Sequence, residues 1–534
     1  LRPISPSELA TRLRGTGELA LLDAREQGAF HGEHLFHASC VPLSRLEQRL
    51  PALVPRSTTP IVWCDAGDGS DLALRAAHRA RELGWTSVAV LEGGNRAWRE
   101  AGHLLYGGVN VPSKAFGELV ETRHGTPHVP PRRLAEMIAA GEKLVILDSR
   151  PLEEFRRMSI PTALDCPGAE LVHRVGQVVS DPETTVVVNC AGRTRSIIGA
   201  QSLINAGLEN PVLALENGTM GWELAGLHTV RGADAVAPRP GPEVAARAAT
   251  AAARVGRRFG VRTVDTATVG GWLDEPDRTT VVLDVRSPEE YRAGHVEGVP
   301  NAPGGQLVQA TDEYVATRGA RLVLLDDDGT RANMTASWLR QLGWGDTFVL
   351  SDPEALPGLG LKPPDVPSPP PVAEIGDAEL TERTGDPRTV VIDVGSSLSH
   401  RDRGHVPGAW WTVRSRLGDL LGADQPGIEE GTLLVFTSSD GTLASWAAHD
   451  AAALWPGVEI RVLRGGTRAW LEGGWETETG MIRPLTTVDD VWYKPYDRAQ
   501  GRAAEEHMRE YLSWEVALVD KIGRDPLVSF PEFD

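Results

Sequence analysis

The chain has 534 residues and a formal net charge of −19, from 54 basic and 73 acidic side chains. That length exceeds any single core and predicts several domains. The acidic balance excludes a general nucleic-acid binder and obliges any anionic substrate to find a local positive site. No apolar run of about 18 residues occurs, so no transmembrane span is expected. The cysteines are Cys40, Cys64, Cys166 and Cys190, without a CxxC pair or a Cys/His cluster. They suggest neither a disulfide framework nor a metal site, and they fit a reducing cytoplasm. Leu1 is not an initiator methionine, which leaves room for a removed targeting segment.

One pattern recurs along the chain, and repeats are sought before local structure. It is an apolar strand ending in Asp-x-Arg, a Gly-His-hydrophobic element, a second apolar strand with a turn, a helix, and a Leu-x-Gly-Gly-x-x-Ala-Trp ending. The first copy has Leu19 to Arg25, Pro60 to Ser70, and Val90 to Trp98. The second has Leu144 to Arg150, Val186 to Gly199, and Leu215 to Trp222. The landmark pairs Asp23/Asp148, Cys64/Cys190 and Trp98/Trp222 keep the same separation to within two residues. Ala-rich Pro242 to Arg258 then predicts a linking helix. The third copy has Val281 to Arg286, Gly294-His295-Val296, and Val323 to Arg331. Pro357 to Pro371 reads as a linker. The fourth has Val390 to Gly395, Gly404 to Ala409, Leu433 to Gly441, and Val462 to Trp470. The tail, Tyr496 to Ile522, predicts an amphipathic helix that packs back on a domain. Strands alternating with helices predict mostly parallel sheets flanked by helices, with a site at the carboxyl ends of the strands.

Cys190 stands at such an end. It follows the β-branched run closing at Asn189, in a turn with Ala191, Gly192, Arg193, Thr194 and Arg195, and Ser196 opens a helix. Backbone N–H groups from Ala191 to Ser196 converge on the sulfur. The helix dipole and two guanidinium groups add to their effect, and all three favour the reactive thiolate. A cysteine packed as a small hydrophobe is the plain alternative. An apolar core would not accept Arg193 and Arg195.

Taken together, the Asp-x-Arg strands, Gly404-His405-Val406-Pro407-Gly408-Ala409, the Cys190 loop and the Gly-Gly-x-x-Ala-Trp endings resemble the rhodanese (sulfurtransferase) family in all four copies. The resemblance implies an α/β fold of four tandem rhodanese-like domains, each a mostly parallel sheet flanked by helices. They are expected over 1–106, 125–231, 260–356 and 372–478, with a C-terminal helical extension over 479–534. It also implies that Cys190 takes a sulfane sulfur from thiosulfate or a low-molecular-weight persulfide. The resulting persulfide passes its sulfur to a thiophilic acceptor, a thiol or cyanide, without a cofactor or a metal. Cys190 matches the catalytic cysteine of that family and Arg195 the arginine that closes its loop. Ala191, Gly192, Arg193, Thr194 and Ser196 complete the donor-binding loop. Asp148 and Arg150 are expected to support neighbouring loops, since Asp23/Arg25 and Asp284/Arg286 repeat them.

Aligned on strand ends, the first copy has Cys64 at the nucleophile position, Gly69 opposite Arg195, and Asp65 and Asp68 in the loop. The third has Asp326 there, and the fourth Thr437 or Ser438 in a loop that reads as shortened. One catalytic domain, the second, and two inactive ones, the third and fourth, follow, while Cys64 leaves the first between catalysis and an inactive domain with a structural thiol. Glu153 and Glu154 stand where some thiosulfate-using members carry an arginine, and Met158-Ser159 replaces Gly-His. Cys166 reads as a packed thiol and His173 as a surface histidine. The C-x4-R spacing from Cys190 to Arg195 argues against a cysteine phosphatase, whose wider phosphate cradle uses C-x5-R. The rival from another class is a non-catalytic sulfur-binding or scaffold protein built from degenerate domains. Small molecules are the expected partners, with no nucleic acid and no membrane. A dimer is open.

Overall fold

The computed structural model describes residues 1–422, 425–498 and 501–533. Four sheets follow one another, one for each copy of the repeat. In the second, the strand order is His128–Val129, Val212–Leu215, Thr185–Asn189, Leu144–Asp148 and Leu164–Asp165, all parallel. The fourth repeats this order with Glu374–Ile375, Glu459–Leu463, Leu433–Thr437, Thr389–Asp393 and Trp410–Trp411. The third keeps four strands, Arg262–Val264, Thr347–Leu350, Arg321–Leu325 and Thr280–Asp284. Helices cover both faces, so the central strands are unbroken Val, Leu and Ile runs rather than alternations. The first sheet also receives Thr317–Arg318 of the third repeat, antiparallel to Leu19–Asp23, which ties repeats one and three into one body.

The ladders fix which residues correspond. Asp23, Asp148, Asp284 and Asp393 lie opposite Cys64, Asn189, Leu325 and Thr437. The residues that follow, Asp65, Cys190, Asp326 and Ser438, are therefore counterparts. The carbonyls of Asp65, Cys190 and Ser438 accept from the N–H groups of Asn95, Thr219 and Thr467, each at 2.8 Å. Cys64 is thus one residue short of the expected nucleophile register, because the ladder continues through it and ends where Asn189 ends. The fourth loop is not shortened. Residues 438–441 precede the helix Thr442–Leu454 just as 190–193 precede Thr194–Asn205 and 326–329 precede Thr330–Gln341. The first loop, 65–71, is the longer one.

Val111–His124 joins the first two repeats, and the Ala-rich Pro242–Arg258 joins the second to the third. Of the expected tail helix, Pro495–Arg498 and Arg502–Ile522 are helical, and residues 499 and 500 lie outside the described residues. So do residues 423 and 424 of the fourth domain's expected range. Arg502–Ile522 buries Ala504, Met508, Leu512, Glu515, Leu518 and Ile522, one stripe down one face. That stripe lies against Val111–His124 and against Met220 and Ala191 of the second repeat. Among the described residues, no helix is long and apolar enough to cross a membrane.

Candidate functional site

The Cys190 loop is held from below. Arg150 donates to Asp148 Oδ1 through Nε at 2.8 Å and to Oδ2 through Nη2 at 2.7 Å, and Nη2 also reaches the Met158 carbonyl. Asn189 Nδ2 donates to Asp148 Oδ2 at 2.7 Å and to Thr219 Oγ1 at 3.2 Å. Arg25 and Arg286 make the same fork with Asp23 and Asp284. Beneath the loop, Gly218 has φ +54°, and a Cβ there would strike the carbonyls of Cys190 and Gly192. Gly94 and Gly466 lie under the Asp65 and Ser438 carbonyls in the same way. This close approach explains the glycines of the repeated ending. The Trp that follows anchors it, with Trp222 Nε1 donating to the His228 carbonyl at 2.8 Å.

Cys190 is 2% exposed. Its thiol donates to Ser196 Oγ at 3.5 Å, and that hydroxyl donates to the Arg193 carbonyl at 2.7 Å. Burial pushes the thiol pKa above its ordinary value, against the pull of Arg195 and of the Ser196 hydrogen bonds. The cations and the helix dipole are visible in the sequence, but this desolvation is not. Both loop arginines are ion-paired. Arg193 binds Glu118 with Nε at 2.7 Å and Nη2 at 2.8 Å, and it also meets Glu121. Arg195 grips Glu154 through two bonds at 3.1 and 2.9 Å, and Lys494 lies 3.4 Å from the same carboxylate. The third repeat keeps this last pair as Arg331 and Glu290, 2.6 Å apart.

The sister loops reveal what the cup of N–H groups can hold. Asp65 fills it with a carboxylate that accepts from Gly67 N and Ala73 N, both at 2.9 Å. Asp326 accepts from Gly329 N and Arg331 N, both at 2.8 Å. Ser438 Oγ accepts from Ala444 N at 3.1 Å. The turn is therefore an anion site in two repeats, and in the second the Cys190 sulfur stands at the corresponding position with Ser196 as its hydrogen-bond partner.

A family model for the rhodanese-like domain matches residues 5–101, 130–225, 269–352 and 377–473. The chain belongs to the rhodanese-like family. It is similar along its whole length to a solved structure from Pseudomonas aeruginosa described as a thiosulfate sulfurtransferase. The identity is 43%, the TM-score is 0.93, and 100% of each chain is covered. Two shorter similarities are to curated bacterial proteins described as uncharacterized. One is slr1261 of Synechocystis sp., 36% identical over 101 residues, 18% of this chain and 52% of that protein. The other is YqhL of Bacillus subtilis, 34% identical over 85 residues, 16% of this chain and 64% of that protein. The chain thus spans between half and two thirds of the length of these curated relatives.

Within the four rhodanese-like domains, Cys166 is packed among Leu147, Leu171 and Val186, and burial pushes its thiol pKa up. His173 is not a surface residue. It is buried at the seam of the second and third domains, with Nδ1 3.4 Å from Glu170 and Nε2 3.3 Å from Asp328. Its partner Asp328 lies far along the chain, so a helix turn that reads as polar becomes an interdomain contact. A cavity of about 710 Å³ lined by Arg12, His37 and Arg318 lies at another seam and does not reach the Cys190 loop. No group of three or more potential metal ligands occurs among the described residues.

Sequence reasoning missed the groups that cover the loop. A Cβ on Gly192 would lie 3.0 Å from Glu515 Oε2 and 3.5 Å from Tyr511 Cε1 of the C-terminal helix. Thr194 and Tyr511 donate to Glu515 Oε1 at 3.4 and 3.0 Å. One signal existed, since Glu515 is the charged residue within an otherwise apolar stripe of that helix.

Proposed function

We propose that the chain is a sulfurtransferase acting through a Cys190 persulfide. The observation that carries this reading is the register. Cys190 occupies the mouth of the N–H cup, where the other domains place Asp65, Asp326 and Ser438. The full-length likeness to the Pseudomonas aeruginosa thiosulfate sulfurtransferase supports it. In the first half-reaction the Cys190 thiolate attacks the outer sulfur of thiosulfate or of a small persulfide. The new S–S bond forms as the old one breaks, and sulfite or a thiolate leaves with the electron pair. In the second, a thiol or cyanide takes the outer sulfur and the Cys190 thiolate returns. N–H groups from Ala191 to Ser196 stabilise the persulfide anion, as the N–H groups of the sister loops hold Asp65 and Asp326. Arg195 lowers the cost of negative charge on the sulfur, and Arg193 holds the loop to the linker helix.

The other domains have no thiol at this register and serve packing and docking. That fact favours the second reading, a sulfur-binding scaffold without turnover. Intact mass after incubation with thiosulfate or glutathione persulfide separates the two. The sulfurtransferase gains one sulfur, loses it to cyanide or a thiol, and gains none as Cys190→Ser. A wild-type chain that takes sulfur from no donor refutes the proposal. A chain that takes sulfur and never releases it is the scaffold.

A further inference from the structure

Thr317–Arg318 is the strand by which the third repeat joins the first sheet, with Arg318 opposite Leu19. Arg318 borders the cavity of about 710 Å³, which lies between the first and third domains and is also bordered by residues 529–531 of the tail. That volume suits a small organic molecule, and seams between domains commonly hold such sites. Gly17, Gly319 and Gly345 line it and are exposed to solvent, which gives the cavity a mouth. Among the described residues, five arginines border it against two aspartates, in a chain whose net charge is −19. Four of the arginines are occupied. Arg12 pairs with Glu8 at 2.8 Å, Arg262 and Arg278 share Asp346, and Arg340 donates to the carbonyls of Phe259 and Gly345. Burial and neighbouring Glu313 push the pKa of the other aspartate, Asp312, up to about 7, so it offers less than a full negative charge at neutral pH.

Arg318 differs from the other four. Among the described residues its guanidinium has neither a hydrogen-bond nor an ion-pair partner, and its Nη1 is buried. Burial alone acts on its pKa, lowering it to about 10, so it stays charged at neutral pH. His37 on the same wall does not balance it. Burial and the charge of Arg318 push the His37 pKa down to about 3, and Nε2 lies 3.0 Å from the Leu527 carbonyl. A desolvated cation without a counter-charge is costly, and an anion that enters beside it removes the cost. A guanidinium offers paired N–H groups to two oxygens of a carboxylate or phosphate. Phe36, Trp344 and Phe530 border the same cavity and supply apolar surface for the rest of a ligand.

We infer that this cavity binds a small organic anion, whose carboxylate or phosphate oxygens meet Arg318 and whose apolar body lies against Phe36, Trp344 and Phe530. Arg318 belongs to the third domain and Phe36 to the first, so the ligand bridges the two. The site is separate from the Cys190 loop and does not rest on sulfur transfer.

The test uses the full chain and two probes, phenylphosphonate, an aromatic anion, and benzyl alcohol, its uncharged counterpart. In wild type, calorimetric titration is expected to show phenylphosphonate binding at millimolar concentration. Amide hydrogen exchange then slows in peptides covering residues 36–39 and 315–320 and is unchanged over residues 190–196. Benzyl alcohol does neither at the same concentration. This arm needs no folded variant. Losing the charge-assisted contact predicts affinity for phenylphosphonate about tenfold or more weaker in Arg318→Met. Arg318→Lys, which keeps the charge and loses the fork, recovers part of it. Sulfur loading of Cys190 from thiosulfate stays at the wild-type rate in both variants. No binding of phenylphosphonate, protection confined to other residues, equal protection by benzyl alcohol, or an unchanged affinity in Arg318→Met each overturn the proposal. None of these outcomes touches the Cys190 reading, whose own test is intact mass.

Discussion

Arg193 is a test of whether a loop cation belongs to the donor or to the scaffold. Its side chain is 12% exposed and that of Glu118 is 3% exposed, and two bonds at 2.7 and 2.8 Å join them. Arg193→Met strands a buried carboxylate, and breaking such a pair from one side costs about 3–5 kcal/mol. Burial already pushes the Glu118 pKa up, against the pull of Arg193. Without the guanidinium that carboxyl protonates still more readily, so the penalty must grow as pH rises. Removing both charges in Arg193→Met/Glu118→Gln strands nothing in the interior, since Glu121 is partly exposed and solvated. Urea unfolding of wild type, both single variants and the double variant is expected to give a coupling energy of at least about 2 kcal/mol, larger at pH 7.5 than at pH 5.5. Sulfur loading of Cys190 in the double variant stays within a few-fold of wild type, because the guanidinium is already neutralised. A coupling near zero would falsify the structural assignment. Loading lost in the double variant but kept in Glu118→Gln would move Arg193 to the donor.

Burial works against a charged His173, but the hydrogen bonds it donates to Asp328 and Glu170 outweigh it and hold its pKa at about 9. A raised pKa means stability that is complete below about pH 6.5 and lost as pH climbs through 9, worth about 3 kcal/mol. The melting temperatures of wild type and His173→Gln should differ most near pH 6 and converge by pH 9.5, and a flat difference speaks against the seam contact. Because burial pushes the Cys190 thiol up, alkylation by iodoacetamide is expected to be slower than that of glutathione at pH 7.5 and still rising at pH 9. A plateau below pH 8 would reveal a thiolate at neutral pH. In a Cys190→Ser background, Asp326→Cys restores a thiol to a loop that keeps Arg331 and Glu290. Asp327 and Asp328 remain beside it, so it should load from thiosulfate at under about a tenth of the wild-type rate. Equal loading would show that loop carboxylates do not matter.

The repeat, its alternation of strands and helices, and the Cys190 turn were legible because each is local. Val, Leu and Ile runs close on Asp-x-Arg, and the glycines of the endings mark the place where a second backbone passes under the loop. Register was less legible. Trp63-Cys64 closes an apolar run, and nothing in those residues tells that the ladder extends to Cys64 and leaves Asp65 at the mouth. His173 reads as a surface histidine, and no motif singles out Glu515. Each is buried by a partner from a distant part of the chain, and no periodicity encodes that. The thiol's raised pKa was hidden for the same reason, since desolvation depends on what covers a group.

What covers Cys190 also arrives last. Thr194 and Glu515 touch across 321 residues of sequence. At about 5–20 residues per second, a ribosome takes on the order of tens of seconds to make that span. Throughout it the Cys190 loop lacks the cover that Tyr511 and Glu515 later supply, and its thiol meets reagents with less shielding than in the finished protein. The third and fourth domains are the length of chain that delays the cover, so the order of synthesis leaves the Cys190 loop for last to be shielded although its own residues are among the earlier ones made.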